Sequence, residues 1–199
     1  MTEPLRYGLL ADGASDRVLL PVLLWTLRSV RPRVRLASPV FVPRGSRPVD
    51  VAAQEVSDSH GVQLLFVHRD AEAIPWKSRR REIPTRKGVV AVVPVRMTEA
   101  WLLIDEAAIR SAAGNPNGQV RLGIPGISRL ESVADPKGLL RSLLVTASEA
   151  TGRRRERFER SSAVARLAEQ IQDYSPLMRL PAFRAFEKEL VEGLAGIGA

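Results

Sequence analysis

Runs of apolar residues and segments with helical spacing alternate along the first half of the chain. Four apolar runs predict strands, at residues 5–11, 34–42, 62–68 and 89–95. Three segments with apolar residues at helical spacing lie between or after them, at about residues 15–30, 49–59 and 99–113. This alternation predicts an α/β fold with a mostly parallel sheet and helices on both faces.

The chain changes character after Gly114, where a turn cluster occupies residues 115–118. Beyond it, Asp135-Pro136 is a good helix start. Amphipathic patterns then predict three helices, at residues 139–150, 157–171 and 182–194. We therefore expect an α/β domain at residues 1–113 and a helical extension at residues 114–199, packed on the same domain.

Composition narrows the chemistry that this chain can perform. The 199 residues suit one domain with a sizeable core, and the sequence has no cysteine. Disulfides, thiolate zinc sites and a cysteine nucleophile are therefore excluded. Because His60 and His68 are the only histidines, a metal site would depend on carboxylates, which favour Mg²⁺ or Mn²⁺.

The sequence patterns predict neither a secretory signal peptide nor a membrane-spanning segment. The first residues lack the pattern of a signal peptide. The longest apolar run, at residues 18–27, is much shorter than the roughly 20 residues of a membrane span. We expect a cytoplasmic protein.

The formal net charge of +8 comes mostly from arginine. A guanidinium group matches phosphate oxygens well, so this charge favours binding to nucleic acid or nucleotides. An arginine-rich composition is also what a GC-rich genome produces, and the charge alone does not decide between these explanations.

Acidic residues follow the ends of the predicted strands. The three clusters are Asp12 with Asp16, Asp70 with Glu72, and Glu99 with Asp105 and Glu106. Ligands of open α/β sheets bind beyond the carboxyl ends of the strands, where crowded carboxylates are stable if a cation neutralises them or if they face water. As alternatives, Asp16 favours a helix N-terminus, and Asp105 and Glu106 are solvated surface residues.

Three segments resemble the motifs of TOPRIM domains. The sequence LLADGASD at residues 9–16 resembles the first motif, and FVHRDAE at residues 66–72 resembles the second, a strand ending in Asp-x-Asp. The sequence VRMTEAWLLID at residues 95–105 resembles a later segment of TOPRIM-like proteins of the domain-of-unknown-function 4276 type, which are related to overcoming-lysogenization-defect nucleases. The resemblance covers roughly residues 5–110.

The resemblance implies a set of metal ligands. TOPRIM carboxylates bind Mg²⁺ for strand cleavage or phosphoryl transfer, and by position Asp12, Asp70, Glu72 and Glu99 would be both the catalytic residues and the ligands of Mg²⁺ or Mn²⁺. Asp12 is one methylene shorter than the family's glutamate, and Glu72 is one longer than its aspartate. Since Mg²⁺ requires near-octahedral geometry, these two changes either compensate for each other or leave a degenerate site.

The resemblance also bears on partners. Neither Tyr7 nor Tyr174 lies within the motifs, so a topoisomerase is not expected. The chain has no P-loop and is not itself a P-loop ATPase. Similar small proteins are encoded beside an ATPase, which implies an ATPase partner and a role in phage defence. A homo-oligomer is compatible with the sequence.

A basic segment at residues 77–87 follows the second acidic cluster. Its arginines and lysine are candidates for binding nucleic acid beside the acidic site: Arg79, Arg80, Arg81, Arg86 and Lys87. The alternative is a solvated, mobile loop. A second basic cluster at residues 153–157 is joined by Arg160. His68 is either a general base or a hydrogen-bonded structural residue.

These patterns leave three hypotheses about function. The first is a Mg²⁺-dependent TOPRIM-like nuclease or phosphoryl-transfer protein acting on nucleic acid. The second is a non-catalytic TOPRIM-shaped module that docks on an ATPase or on nucleic acid. The third, a small-molecule phosphatase or nucleotidyl enzyme, differs from the first in the salt dependence of binding, because polymer binding weakens steeply with salt.

Overall fold

A parallel sheet forms the centre of the molecule. The structure, a computed structural model, describes residues 3–159 and 163–199. In the described residues the sheet has four strands in the order β2-β1-β3-β4, and every neighbouring pair is parallel. The strands are β1 (Tyr7–Ala11), β2 (Val40–Pro43), β3 (Leu64–His68) and β4 (Val89–Val92). The predicted α/β class with a parallel sheet is confirmed.

The strand order reverses between β1 and β3. Leu9 of β1 lies opposite Phe41 of β2 on one side and opposite Phe66 of β3 on the other. The chain leaves β1 towards β2, and β3 then returns to the opposite side of β1. Such a switch point opens a crevice beyond the carboxyl ends of the two strands, where ligands of α/β proteins bind.

Helices account for most of the remaining described residues. The α-helices are α1 (Leu19–Val30), α2 (Val49–His60), α3 (Trp76–Arg80), α4 (Glu106–Ala112), α5 (Pro136–Ser148), α6 (Gly152–Glu159), α7 (Ala163–Gln170) and α8 (Pro181–Ile197). Short 3₁₀ helices lie at Ala14–Val18, Thr98–Leu102, Ile127–Ser132 and Ser175–Arg179. Among the described helices, none has the length and apolar character that crossing a membrane requires.

Alternate side chains of each strand enter two hydrophobic cores. Leu9 and Phe66 join the larger core, which includes α1 and α8. Leu10 and Leu65 point to the other face and join a smaller core with α2. Because successive residues of a strand face opposite sides of the sheet, helices cover both faces, as the sequence predicts.

The C-terminal helix completes the larger core. Phe186 of α8 packs edge-on against Phe66 of β3, with ring centroids 6.0 Å apart. Phe183 lies 5.0 Å from Trp101 in the 3₁₀ helix Thr98–Leu102. The segment around Trp101 is therefore held between the sheet and α8, and this contact positions Glu99.

All four strands are shorter than the sequence patterns predict, β2 and β4 most of all. β2 begins at Val40, and the first part of its predicted strand, residues 34–39, contributes one isolated bridge, between Leu36 and Leu5. Pro39 precedes the strand and Pro94 follows β4. Proline has no backbone N–H to donate to the ladder, which explains why regular pairing begins after one of these residues and ends before the other.

The helix predicted at residues 99–113 is in fact two helices. The 3₁₀ helix Thr98–Leu102 ends before Asp105, whose carboxylate accepts a 2.9 Å hydrogen bond from the Ala108 amide and caps α4. A single helix across residues 99–113 would place Glu99 and Glu106, seven residues apart, on one face, and this sequence-based interpretation is wrong because the helix is interrupted between them. Glu106 instead pairs with Arg110 on the surface.

The remaining differences concern helices outside the sheet. The basic segment, expected to be a loop, contains the short helix α3. The helix predicted at residues 157–171 is represented by the end of α6 and by α7, and residues 160–162 between them lie outside the described part of the chain.

Candidate functional site

A buried histidine connects the ends of two sheet strands with the segment that follows β4. His68 is the last residue of β3, and its side chain is fully buried. Its Nε2 atom lies 3.0 Å from Oδ1 of Asp70 and 3.0 Å from Oγ1 of Thr98. Its Nδ1 atom faces Oδ2 of Asp16 at 3.5 Å, a separation that suits an ion pair better than a hydrogen bond.

Backbone groups fix the two carboxylates that face His68. Oδ2 of Asp16 accepts a 2.8 Å hydrogen bond from the Gly13 amide in the turn after β1. Oδ1 of Asp70 accepts hydrogen bonds from the amide and the hydroxyl of Thr98, at 2.9 and 3.2 Å. Carboxylates from beyond β1 and β3 thus converge on one imidazole at the switch point.

The ionisation of these groups follows from their contacts. Burial by itself lowers the pKa of His68, but the adjacent carboxylates of Asp16 and Asp70 outweigh it and raise that pKa to about 9. Burial by itself raises the pKa of Asp16, but His68 and the Gly13 amide together lower it. At neutral pH the imidazole is therefore a cation, and Asp16 is an anion.

Glu99 adds a third carboxylate beside this cluster. Its side chain is 15 % exposed. Burial raises the pKa of Glu99, and the charges of Asp70 and Asp16 raise it further, against the lowering effects of a backbone hydrogen bond and of Lys137. Glu99 lines one cavity with Asp16, which in turn faces His68 together with Asp70.

A lysine from the helical half of the chain faces Glu99. Nζ of Lys137 lies 4.0 Å from Oε1 of Glu99. Lys137 is in the first turn of α5, where the helix macrodipole disfavours a cation, so the nearby carboxylates compensate for its position. A cavity of about 240 Å³ separates the two elements, and its lining includes Asp16, Thr98, Glu99, Lys137 and Arg141.

Asp12, an expected metal ligand, lies between two arginines. Its Oδ1 atom is 2.7 Å from Nη2 of Arg44 and 3.0 Å from Nε of Arg69. Arg44 follows β2 and Arg69 follows β3, so Asp12 joins the ends of three neighbouring strands. The charge that a metal ion was expected to supply at this position comes from guanidinium groups.

Glu72, another expected ligand, is exposed and is not among the residues that line this cavity. Its carboxylate is 67 % exposed and lies 3.3 Å from Nη2 of Arg79. Its backbone has φ 54°, and its amide donates a 2.8 Å hydrogen bond to the carbonyl of Arg96, which has φ 68°. Left-handed backbone at residues other than glycine is uncommon, so this hydrogen bond joins two constrained positions, one in the segment after β3 and one in the segment after β4.

The four expected ligands therefore do not form one metal site in this arrangement. Asp70 faces His68 together with Asp16, and Glu99 lines one cavity with Asp16, whereas Asp12 and Glu72 pair with arginines. Across residues 3–159 and 163–199, no group of three or more histidine, aspartate or glutamate side chains is arranged to hold a metal ion. The oxygen donors suit Mg²⁺ chemically, but their geometry does not fit a preformed magnesium centre.

The basic segment is only partly available to a ligand. Arg79 pairs with Glu72 and Glu82, and Nε of Arg80 donates a 2.6 Å hydrogen bond to Glu189 of α8. Arg86 donates to Gln54. Arg81 and Lys87 are exposed. Of the five candidates for nucleic-acid binding, these last two are the ones that project from the surface.

Several residues of the cleft were not among the predicted site residues. Asp16 was noticed as a motif residue but not as a member of the site, and Thr98, Lys137 and Arg141 come from other segments. One available signal was Lys137, a cation directly after the helix start Asp135-Pro136 and thus at the wrong end of a helix dipole. Arg160 of the second basic cluster lies outside the described residues.

Comparisons with protein-family models, with curated proteins and with solved structures found no match. The fold and the site define a class nonetheless. The chain is a parallel α/β protein with an acidic cleft, built around a buried histidine, at the topological switch point of its sheet.

Proposed function

We propose that this chain is a TOPRIM-like nuclease or phosphoryl-transfer protein that acts on nucleic acid. One observation carries the proposal: Asp16 and Asp70 converge on His68 at the switch point, and Asp16 lines one cavity together with Glu99 and Lys137. Paired acidic and basic groups of this kind are suited to chemistry at a phosphate ester. The three motifs that resemble TOPRIM domains supply the family expectation.

The residues of the cleft divide into two roles. Lys137 and Arg141 supply positive charge for a phosphate group on the α5 side of the cavity. Glu99, whose pKa is raised by burial and then by its acidic neighbours, is suited to exchange a proton with water. Asp16 remains ionised beside the His68 cation. In this proposal Glu99 therefore transfers protons, while Lys137 and Arg141 bind the phosphate of the substrate.

A divalent cation remains part of the proposal as a component to be tested. If Mg²⁺ or Mn²⁺ were bound, it would supply Lewis-acid polarisation of a phosphoryl oxygen. Because Asp12 and Glu72 are engaged by arginines, the carboxylates left to bind the ion are Asp16, Asp70 and Glu99. Since they form no preformed centre in the described part of the chain, they would have to move together around the ion. The resemblance adds an ATPase partner and a role in phage defence to the proposal.

A second candidate function is a non-catalytic binding module. The observation that favours it is the position of Asp12 between Arg44 and Arg69, since an ion pair at the family's first acidic position satisfies this residue without metal. In that case the basic surface would dock on nucleic acid or on an ATPase.

Calorimetry and hydrolysis assays together separate these candidates. Mn²⁺ and Mg²⁺ would be titrated into the wild type and into the Asp70→Asn, Glu99→Gln and Asp12→Asn variants, and single- and double-stranded oligonucleotides would be incubated with the same proteins. The nuclease proposal expects metal binding and cleavage that Asp70→Asn and Glu99→Gln abolish and Asp12→Asn largely retains.

The contrary outcomes are equally specific. Salt-sensitive oligonucleotide binding without cleavage, in every metal tested, would replace the nuclease with the binding module. Hydrolysis of a small phosphate ester with little dependence on salt, and no cleavage of oligonucleotides, would identify a small-molecule phosphatase.

A further inference from the structure

A second, larger cavity adjoins the acidic cleft. It has a volume of about 960 Å³ and lies among α5, α6 and α7. This volume is at the upper end of the roughly 300–1,000 Å³ of small-molecule sites. Arg141 and Val164 line both cavities, so the two form adjoining compartments. We call the first the acidic cleft and the second the helical pocket.

One face of α5 runs through both compartments. Lys137, Arg141 and Val145 are spaced four residues apart and therefore lie on the same side of the helix. Lys137 borders the acidic cleft, Arg141 borders both compartments and Val145 borders the helical pocket. Along this face the chemistry changes from cationic beside Asp16 and Glu99 to apolar between the helices.

The lining of the helical pocket combines an aromatic ring, aliphatic groups, hydroxyls and charged groups of both signs. Half-buried Phe158 of α6 lines it with Val145 of α5, Ser142 and Thr146 supply hydroxyls, and Arg155 and Glu149 supply opposite charges. Stacking on an aromatic ring together with a few hydrogen-bonding groups is how proteins hold a nucleobase. The carboxylate of Glu149 in the same lining disfavours a second phosphate, because like charges repel.

We propose that the helical pocket binds the nucleoside unit attached to the phosphate that Lys137 and Arg141 hold. The proposal rests on the proposed function, because it takes the acidic cleft as the place of the phosphate. It goes further by assigning the α5–α7 region a substrate-binding role and by naming a nucleotide as the unit recognised.

Binding of mononucleotides tests the inference without requiring catalysis. Each of the four ribonucleoside 5′-monophosphates, ribose 5-phosphate and inorganic phosphate would be titrated separately into the full chain in the presence of Mg²⁺. At least one mononucleotide is expected to bind about tenfold more tightly than ribose 5-phosphate, because only the mononucleotide carries a base.

Two substitutions locate the base. Val145→Trp fills the helical pocket and leaves the acidic cleft lined as before, so the preference for the mononucleotide should vanish while the affinity for inorganic phosphate persists. Val191→Trp on α8 is the matched control, since Val191 is exposed and lines neither cavity. Phe158→Ala removes the ring without adding bulk and decides the matter if Val145→Trp does not fold.

Each further outcome has a definite meaning. If no mononucleotide binds more tightly than ribose 5-phosphate, or if Phe158→Ala keeps the wild-type preference, the inference is wrong even where oligonucleotides are cleaved. If the preference is present and depends on Phe158 but no phosphodiester is cleaved, the nuclease proposal fails and the nucleotide pocket stands.

Discussion

Nε2 of His68 lies 3.0 Å from Oδ1 of Asp70 beyond the carboxyl end of β3. On its other side the same ring faces Asp16, so one buried cation serves two carboxylates. Burying charges is favourable only when they are paired and hydrogen-bonded, and here the Gly13 and Thr98 amides supply the additional hydrogen bonds. The cluster is therefore a structural unit as well as a candidate site.

The charge of His68 should make stability depend on pH. Its pKa is raised to about 9 in the folded chain from about 6.5 when unfolded. The resulting stabilisation is fully present below about pH 6.5 and is lost as pH rises through 9, a change of about 3 kcal/mol. Urea unfolding of the wild type and of His68→Gln at a series of pH values measures it.

The control for this experiment is the other histidine. His60 is exposed at the end of α2, so His60→Gln should unfold with the same pH profile as the wild type. If the difference in unfolding free energy between wild type and His68→Gln were the same at about pH 6 and about pH 10, His68 would not be the buried cation described above.

The ionised carboxylate of Glu99 should lower the free energy of unfolding at neutral pH. Because burial raises its pKa, the ionised form is less favourable in the folded than in the unfolded chain. Glu99 therefore stabilises the fold only at low pH, where its carboxyl group is protonated. This stabilisation is lost as pH rises through the pKa of Glu99 in the folded chain. We expect Glu99→Gln to raise the unfolding free energy at neutral pH, within the about 0.5–2 kcal/mol typical of stabilising substitutions.

A glutamate outside the cleft provides the comparison for Glu99→Gln. Glu106 is exposed and pairs with Arg110 one helical turn away. Glu106→Gln should change stability by less than about 1 kcal/mol, and not in the stabilising direction. A Glu99→Gln variant that is less stable than wild type at neutral pH would show that its carboxylate is a structural anchor rather than a strained functional group.

In the 3₁₀ helix Thr98–Leu102, which carries Glu99, substitution of Trp101 should lower the free energy of unfolding most. Its ring is fully buried and lies 5.0 Å from Phe183 and 6.1 Å from Phe186. Trp101→Ala should lower the unfolding free energy by about 3–5 kcal/mol, because it leaves a large cavity. Chemical denaturation measures this loss, and Val191→Ala on the exposed side of α8 should stay within about 0.5 kcal/mol of wild type.

The more conservative change at the same position separates packing from hydrogen bonding. The indole Nε1 of Trp101 has no hydrogen-bond partner among the described residues. Trp101→Phe therefore gives up ring volume but no described hydrogen bond, and should cost clearly less than Trp101→Ala. Equal losses would indicate that the indole N–H has a binding partner after all.

Replacing Gly88, the residue directly before β4, by any residue with a side chain should destabilise the fold. Its φ is 76°, and an added Cβ would collide with the backbone carbonyl of Gln63. Gly114 has a similar φ of 74° but open space around the Cβ position. Gly114→Ala should therefore cost only the backbone strain, about 1–2 kcal/mol, and Gly88→Ala measurably more. Thermal or urea unfolding of the pair checks the order, and equal losses would refute the steric explanation.

Much of the fold could be predicted from the order of apolar runs. The apolar runs predicted at residues 5–11, 62–68 and 89–95 contain strands of one parallel sheet. A run that is apolar throughout predicts such a strand, because both of its faces are covered by helices. Local breaks were harder to foresee. The cap formed by Asp105 ends one helix and starts another, and a continuous apolar pattern across residues 99–113 does not reveal it.

The sequence by itself determined the class of fold and the edge of the sheet at which a site would lie. Strand and helix periods, and acidic residues after Ala11 and His68, are local features, and parallel strands place their carboxyl ends together. Only the tertiary structure decided which carboxylate meets which cation: Asp12 faces Arg44 and Arg69, whereas Glu99 faces Lys137. The reason is physical, because Coulombic interactions depend on distance in space, and these partners lie between 32 and 57 residues apart along the chain.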